Sequence, residues 1–521
     1  MRLAETNERP PETTAPHAWL HALLGLAIVA GVFAVNVYRA THQSITADEA
    51  FTWDFYVDKP FNWILIVYST NNHVLHSLLC RLSVRALGLS ELTMRLPSLA
   101  GGLLYLVFAY KFCRLLFKSL WTFLLALVSL TLNPFITDYL SAARGYGMAL
   151  GLFTAALYLV TRFFDDEQDA ANITRVTWAA ILLGLSISAN IAFVFPAIVL
   201  AGLLTLLRLD DAQGGTWGRR VLWSLGRVWL PLLCSAVFFL AIPLAHSRNG
   251  DFYKYGKDSL SETGLSLVQR SLFHQYNVWT AGKLPDVVTR SSEVVATWVV
   301  PAMLAILFAL LIATGLRWVR TRSFHQLSDL DRAYFLIAGV LAMSLAALVA
   351  AHHVVRMPYP IDRTAIYLVA LMTLAWVAMI EKSTAWPRWT RILASAPMAL
   401  AVVFFLGGFT TSDYYEWRYD AGTKRIFQLL EQQHQLDRAK QVRVGVDWKL
   451  DFSFNFYREM YHADWLARIV RTPSPQAGGY DYYVVYPDEL SSMKDLGLRV
   501  IYRDPVSGQI LAAQAVRRSA R

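Results

Sequence analysis

Charge is scarce in this chain. Asp, Glu, Lys and Arg make up 17% of its 521 residues, against about a quarter in soluble domains, and the shortfall excludes an ordinary soluble protein. Cysteine is nearly absent. Cys80, Cys113 and Cys234 lie in or beside apolar runs with no paired spacing, which indicates neither a disulfide framework nor a thiolate metal site, and redox chemistry drops out with them. No internal repeat, low-complexity tract or cleavable leader is visible: residues 1–17 are polar and Pro-rich, and the run from Ala18 to Val37 is long enough to span a bilayer and stay as an anchor. The net charge of +10 is not a nucleic-acid signal, because most Lys and Arg sit in short segments between apolar runs, where membrane orientation accounts for them.

What is present is apolar sequence, 55% of the chain, with a mean hydropathy of +0.37. A span takes about 20 apolar residues. By that ruler eleven transmembrane helices are expected, near 18–38, 96–116, 119–137, 145–163, 176–189, 191–208, 227–246, 295–316, 333–351, 364–380 and 392–409. Leu75 to Leu89 is apolar too but short and interrupted by Arg81 and Arg85, so it reads as an amphipathic helix in the interface. With the amino terminus inside, cytoplasmic loops collect Lys111, Arg114 and Lys118, then Arg162 and Arg175, then Arg208, Arg219, Arg220 and Arg227, then Arg317, Arg320, Arg322 and Arg332, then Lys382, Arg388 and Arg391. That bias follows the positive-inside rule and puts loops 39–95 and 247–294 and the tail 410–521 outside. The tail changes character: Gln441 to Asp447, Asp481 to Tyr486 and Leu498 to Tyr502 read as strands, with helical stretches near 423–436, 452–461 and 489–495 and a turn-rich loop at 472–479. The expected fold is a polytopic α-helical membrane domain, residues 1–409, followed by a small soluble α/β domain.

Charges beside a membrane are costly, so a cluster on one face marks function. The outer face carries Asp48 and Glu49 in Thr46-Ala47-Asp48-Glu49-Ala50, then Asn71-Asn72-His73, Arg95-Leu96-Pro97-Ser98, and a short loop Thr137 to Tyr146 with Asp138 and Arg144. Its fifth loop, His352 to Arg363, adds Arg356 and Arg363. An acceptor hydroxyl losing its proton needs a carboxylate within reach, and the charge developing on a leaving phosphate needs fixed cations, for which Arg is suited by its two-pronged grip. Glu49, next to Asp48, points about 100° away on a helix or to the opposite face of a strand, so the two acids do not easily share a reacting atom. His73 and His76 share a helix face without a third ligand, and His352 and His353 do not converge, so no metal is called for: a divalent ion is possible here but ligand spacing does not support one. Arg95 and Arg144 also suit snorkelling anchors, and Arg356 and Arg363 also suit anionic headgroup contacts.

The order of an anchor helix, an outer Asp48-Glu49, Asn71-Asn72-His73, Arg95-Leu96-Pro97-Ser98 and Ala143-Arg144-Gly145-Tyr146 resembles the GT-C glycosyltransferase superfamily, in the branch of protein O-mannosyltransferases and lipid A aminoarabinose transferases. The likeness is densest over the first 165 residues or so, and Val74-Leu75 stands where many members have Pro-Pro or Pro-Leu. The resemblance implies a bacterial plasma-membrane enzyme that moves a sugar, with inversion, from a polyprenyl-phosphate donor to a hydroxyl of an unknown glycan, lipid or protein acceptor at the outer face, with no required cofactor. Asp48 resembles the essential outer acid and is expected as base, with Glu49 in support and Asp138 as a third catalytic candidate. Arg144, Arg356, Arg363, Lys283, Arg95 and His73 are the candidates for holding substrate and lipid phosphate. The competing reading is a transporter or flippase for a lipid-linked or anionic substrate, which predicts inverted repeats and midplane charges.

Overall fold

A computed structural model describes residues 18–67, 69–164, 170–210, 215–247, 255–273, 285–383, 386–436, 441–471 and 479–514. The chain opens with the long helix α1 (Ala18–His42), then α2 (Ala47–Thr52), a π turn, α3 (Phe61–Ile66), α4 (Val74–Leu87) and α5 (Glu91–Leu116). The bundle continues with α6 (Leu120–Thr131), α7 (Pro134–Ser141), α8 (Gly145–Phe163), α9 (Ala170–Ala189) and α10 (Val194–Asp210). Next come α11 (Trp217–Ser224), which runs through a π turn into α12 (Leu230–Ala245), then α13 (Leu260–Ser271), and α14 (Pro285–Val294), which runs likewise into α15 (Val300–Thr321). The last long helices are α16 (Asp329–Val355), α17 (Ile366–Lys382) and α18 (Arg388–Gly408).

Ten helical stretches among the described residues are long and apolar enough to cross a membrane, and α6 with α7 makes an eleventh if that pair, bent by 56°, is one span. Helices α8 and α17 are buried almost all round, as the centre of a bundle must be. The outer helices expose bare apolar side chains such as Leu222, Phe238, Trp298 and Ile312. Water would not tolerate that continuous apolar surface, and lipid does; the chain is a multi-pass membrane protein.

One expectation changes here. Thr137 to Ser141 belongs to helix α7, not to a loop, because Asn133 caps the Phe135 amide at 3.0 Å and Pro134 sits at the first helical position. The same Asn-Pro pair ends α6 and produces the bend. Helix α8 then starts at Gly145 for a steric reason: a methyl group there would lie 2.0 Å from the Ala189 carbonyl oxygen.

After α18 the chain makes a short 3₁₀ turn (Tyr415–Asp420) and enters the α/β domain: α19 (Thr423–Leu436), β1 (Val444–Val446), α20 (Asp451–Met460), β2 (Tyr482–Val485), α21 (Pro487–Ser492), β3 (Leu498–Arg503) and β4 (Ile510–Gln514). The sheet order is β1-β2-β4-β3, with β1 parallel to β2 and the other pairs antiparallel. Strand β4 was not expected, since Ile510-Leu511-Ala512-Ala513-Gln514 lacks both alternation and β-branched weight; its place between β2 and β3 supplies what its composition does not. Of the expected 472–479 loop, residues 472–478 lie outside the described residues. The domain packs directly on the segment after α1: Ile45, Ala50, Trp53 and Val57 share one apolar core with Phe427, Leu430, Phe454 and Phe456.

Candidate active site

Helix α2 separates its two acids by phase. Thr46 and Glu49 form a capping box, Thr46 Oγ1 accepting from the Glu49 amide at 3.2 Å and Glu49 Oε2 from the Thr46 amide at 2.9 Å. That turns Glu49 inward. Its carboxylate is gripped by Arg95 from two nitrogens, Nε at 2.9 Å and Nη2 at 2.7 Å, and accepts the Ala143 amide at 2.5 Å. The remaining Arg95 donors go to the carbonyls of Ala40, Gln43 and Ser44, and neither side chain reaches solvent. Glu49 and Arg95 therefore pin the loop rather than present a reactive group.

Asp48 faces the other way and keeps a quarter of its side chain exposed. Two guanidinium groups flank it, Arg144 Nη2 at 3.7 Å and Arg363 Nη2 at 3.6 Å from the same Oδ2. Burial pushes the Asp48 carboxyl up, but Arg144, Arg363 and a hydrogen bond from the Trp417 side chain outweigh it and hold the group below the ordinary carboxylate range. Arg144 is fixed at the start of α8 by the Asp48 carbonyl at 3.4 Å, Thr52 Oγ1 at 3.3 Å and Asn71 Oδ1 at 3.0 Å. This gives the first Asn of Asn71-Asn72-His73 a role. His73 stands edge-on to Tyr146 at 5.1 Å; burial, with Arg144 next, drives its pKa well below the usual imidazole value, so the ring is neutral. Its Nε2, like Arg144 Nε, has no hydrogen-bond partner among the described residues.

Arg363 comes from the turn before α17, and its position depends on Asp362, whose φ of 49° lies in the left-handed region. Three contacts hold that strained residue: Arg270 at 2.8 and 3.2 Å, the Tyr255 hydroxyl at 2.8 Å, and Ser266 Oγ on its amide at 3.0 Å. Arg363 lies over the Tyr255 ring and pairs with Glu416, which also accepts from the Tyr139 hydroxyl. Glu416 and Trp417 are site residues that the sequence reading missed. Tyr414-Tyr415-Glu416-Trp417, an aromatic and charged run directly after the last span, was the available signal.

The fold thus brings Asp48, Arg144, Arg363 and His73 together over the Glu49–Arg95 pair. It does not bring in Asp138, which is buried in an ion pair with Arg39 and accepts the Tyr415 amide at 2.8 Å. Arg356 is exposed in a left-handed cap after α16, its amide donating to the Ala351 carbonyl, and its side chain makes no hydrogen bond or ion pair among the described residues; it lines the end of an apolar cavity of about 700 Å³ between α9, α10, α12 and α16, as does Thr364, the neighbour of Arg363. Lys283 lies outside the described residues. Among those residues no three His, Cys, Asp or Glu side chains converge as a metal site requires, and His76 Nε2 is engaged by Ser98 Oγ at 2.8 Å.

No family model and no curated protein matches the sequence. Solved structures do. The chain is similar to ArnT from Cupriavidus metallidurans, in the apo state and bound to undecaprenyl phosphate, at 14% identity and a TM-score of 0.42, covering 96% of this chain and 98% or 99% of that one. It is also similar to the archaeal oligosaccharyltransferase AglB from Archaeoglobus fulgidus, in complex with an inhibitory peptide and a dolichol-phosphate, at 12% identity and a TM-score of 0.42, covering 96% of this chain and 75% of that one.

Proposed function

We propose that the chain is a membrane glycosyltransferase that moves a sugar from a polyprenyl-phosphate donor to a hydroxyl acceptor, with inversion, at the membrane face that carries the α/β domain. That face is the outer one of a bacterial plasma membrane. The reading rests on one observation: a partly exposed carboxylate, Asp48, is held between two arginines, and the residue that follows one of them, Thr364 after Arg363, lines an apolar cavity. The donor needs both features, since its tail is hydrocarbon and its leaving group is an anion. The reading of the solved ArnT and AglB complexes with undecaprenyl phosphate and dolichol-phosphate suits the same donor class.

Asp48 serves as general base toward the acceptor hydroxyl. A carboxylate paired with two cations is a weak base, and the donor itself relieves this. Its phosphate draws on the charge of Arg144 and Arg363, so the depressed carboxyl recovers basicity only when the leaving group is in place. The two arginines then stabilise the phosphate oxygens as the glycosidic bond breaks. Arg356 takes the headgroup at the cavity end, neutral His73 accepts or donates one hydrogen bond to a sugar hydroxyl, and Glu49, Arg95 and Asp138 with Arg39 hold the frame. No step calls for a metal.

The test is transfer by purified protein reconstituted with polyprenyl-phosphate sugars and a hydroxyl acceptor, against Asp48→Asn. The variant should bind donor and fail to transfer. Transfer at the parent rate would refute the base assignment, and movement of intact donor across the bilayer without transfer would favour a flippase.

A further inference from the structure

The arginine expected to grip the donor phosphate already grips a carboxylate of its own chain. Arg363 pairs with Glu416 and lies 3.6 Å from Asp48, while Arg144 lies 3.7 Å from Asp48. Two cations thus face two anions and the cluster is balanced. Arrival of a phosphate adds negative charge that no further cation among these four residues offsets, and in a site only 14 to 25% exposed at Glu416, Arg363 and Asp48 that excess is expensive. Arg363 has one planar fork, and a phosphate and Glu416 compete for it. The Tyr139 hydroxyl, now donating to Glu416, is a second donor of the same competition.

We propose that Glu416 is a product-release residue: its carboxylate exchanges with the lipid phosphate on Arg363 and the Tyr139 hydroxyl, yielding to the donor and returning to expel the polyprenyl phosphate that transfer leaves behind. The exchange favours product release because a phosphodiester donor carries one negative charge and the free monoester carries up to two, so repulsion from Asp48 and Glu416 rises at the step where the product must leave. The location suits an exchange. Glu416 belongs to the short 3₁₀ turn that joins α18 to the α/β domain, a turn with one residue, Trp417, off helical geometry (φ −116°, ψ 30°). This inference rests on the donor-site reading above.

Full-length protein in nanodiscs is titrated with undecaprenyl phosphate, comparing parent, Glu416→Gln, Glu416→Ala and Arg363→Ala. Removing the competitor should tighten binding about tenfold in both Glu416 variants, the worth of one charge-assisted hydrogen bond, and in turnover kcat and KM should fall together because product leaves slowly. Unchanged or weaker binding in folded Glu416 variants overturns the exchange while leaving the donor site standing. Unchanged binding in Arg363→Ala overturns the donor site itself. If the Glu416 variants do not fold, the parent decides: carbodiimide labelling of Glu416, read by mass spectrometry, should rise on adding undecaprenyl phosphate, and constant labelling overturns the exchange.

Discussion

Asp48 and Glu49 are neighbours in sequence, and their substitution should separate activity from stability. Glu49→Gln keeps the shape of the side chain and removes its charge, which leaves the Arg95 guanidinium, 0% exposed, without a counter-ion. Breaking a buried pair in this way costs about 3–5 kcal/mol. The three carbonyls of Ala40, Gln43 and Ser44 keep their bonds to Arg95, which argues for the lower half of that range. Even so, it is a large part of the roughly 5–15 kcal/mol by which a folded protein is stable. Asp48→Asn loses two longer ion-pair contacts at a partly exposed position, worth about 1 kcal/mol or less. Thermal unfolding in detergent, followed by intrinsic tryptophan fluorescence, should show a clear drop for Glu49→Gln and almost none for Asp48→Asn, with loss of transfer confined to Asp48→Asn once the folded fraction is matched. Equal stability of the two variants would refute the division of labour, and so would full activity in Asp48→Asn.

Arg363→Ala should lower kcat roughly 10²–10³-fold, the usual worth of one group stabilising developing charge, whereas Arg356→Ala, at the cavity end, should raise KM for the donor with kcat nearly unchanged; steady-state kinetics over donor concentration separates the two. Because the Asp48 carboxyl is held below its ordinary value, it stays charged on acidification, so the acid limb of kcat/KM should fall below the usual carboxylate range near about 4, and a limb above it would contradict the two-arginine clamp. His76 is pushed down to about 3 by burial first and Arg144 second; an unfolded chain takes up that proton near 6.5, so stability present above 6.5 is lost on lowering the pH toward 3, by about 1.4 kcal/mol per pH unit, and His76→Gln should flatten the acid side of a stability-against-pH curve. Gly145→Ala places a methyl 2.0 Å from the Ala189 carbonyl oxygen and should destabilise by roughly 1–3 kcal/mol, measurable as a lower unfolding temperature.

The spans were legible because a bilayer imposes its length on every apolar run separately, with no reference to the rest of the chain. That Asp48 and Glu49 point apart was legible for the same kind of reason, since adjacent positions diverge on a helix and on a strand alike. What the sequence hid is long-range. Asp48 and Asp138 look alike in their local surroundings, and only packing sets one beside Arg144 and Arg363 and buries the other against Arg39. Arg95 reads as a snorkelling anchor until the fold brings Glu49 to it across 46 residues. Glu416 lies 53 residues from the arginine it pairs with, a separation no periodicity reports.

Helix α2 and the residue two before it take backbone partners from the far end of the chain: the Ala47 amide donates to Asp420 at 2.6 Å and the Ile45 amide to the Tyr457 hydroxyl at 2.8 Å. During synthesis, then, the segment bearing Asp48 emerges hundreds of residues before the groups that fasten it. A nascent chain inserted through its first spans has the acid but neither Arg363 nor Trp417 beside it, so the charge cluster around Asp48 closes only once translation has passed residue 420.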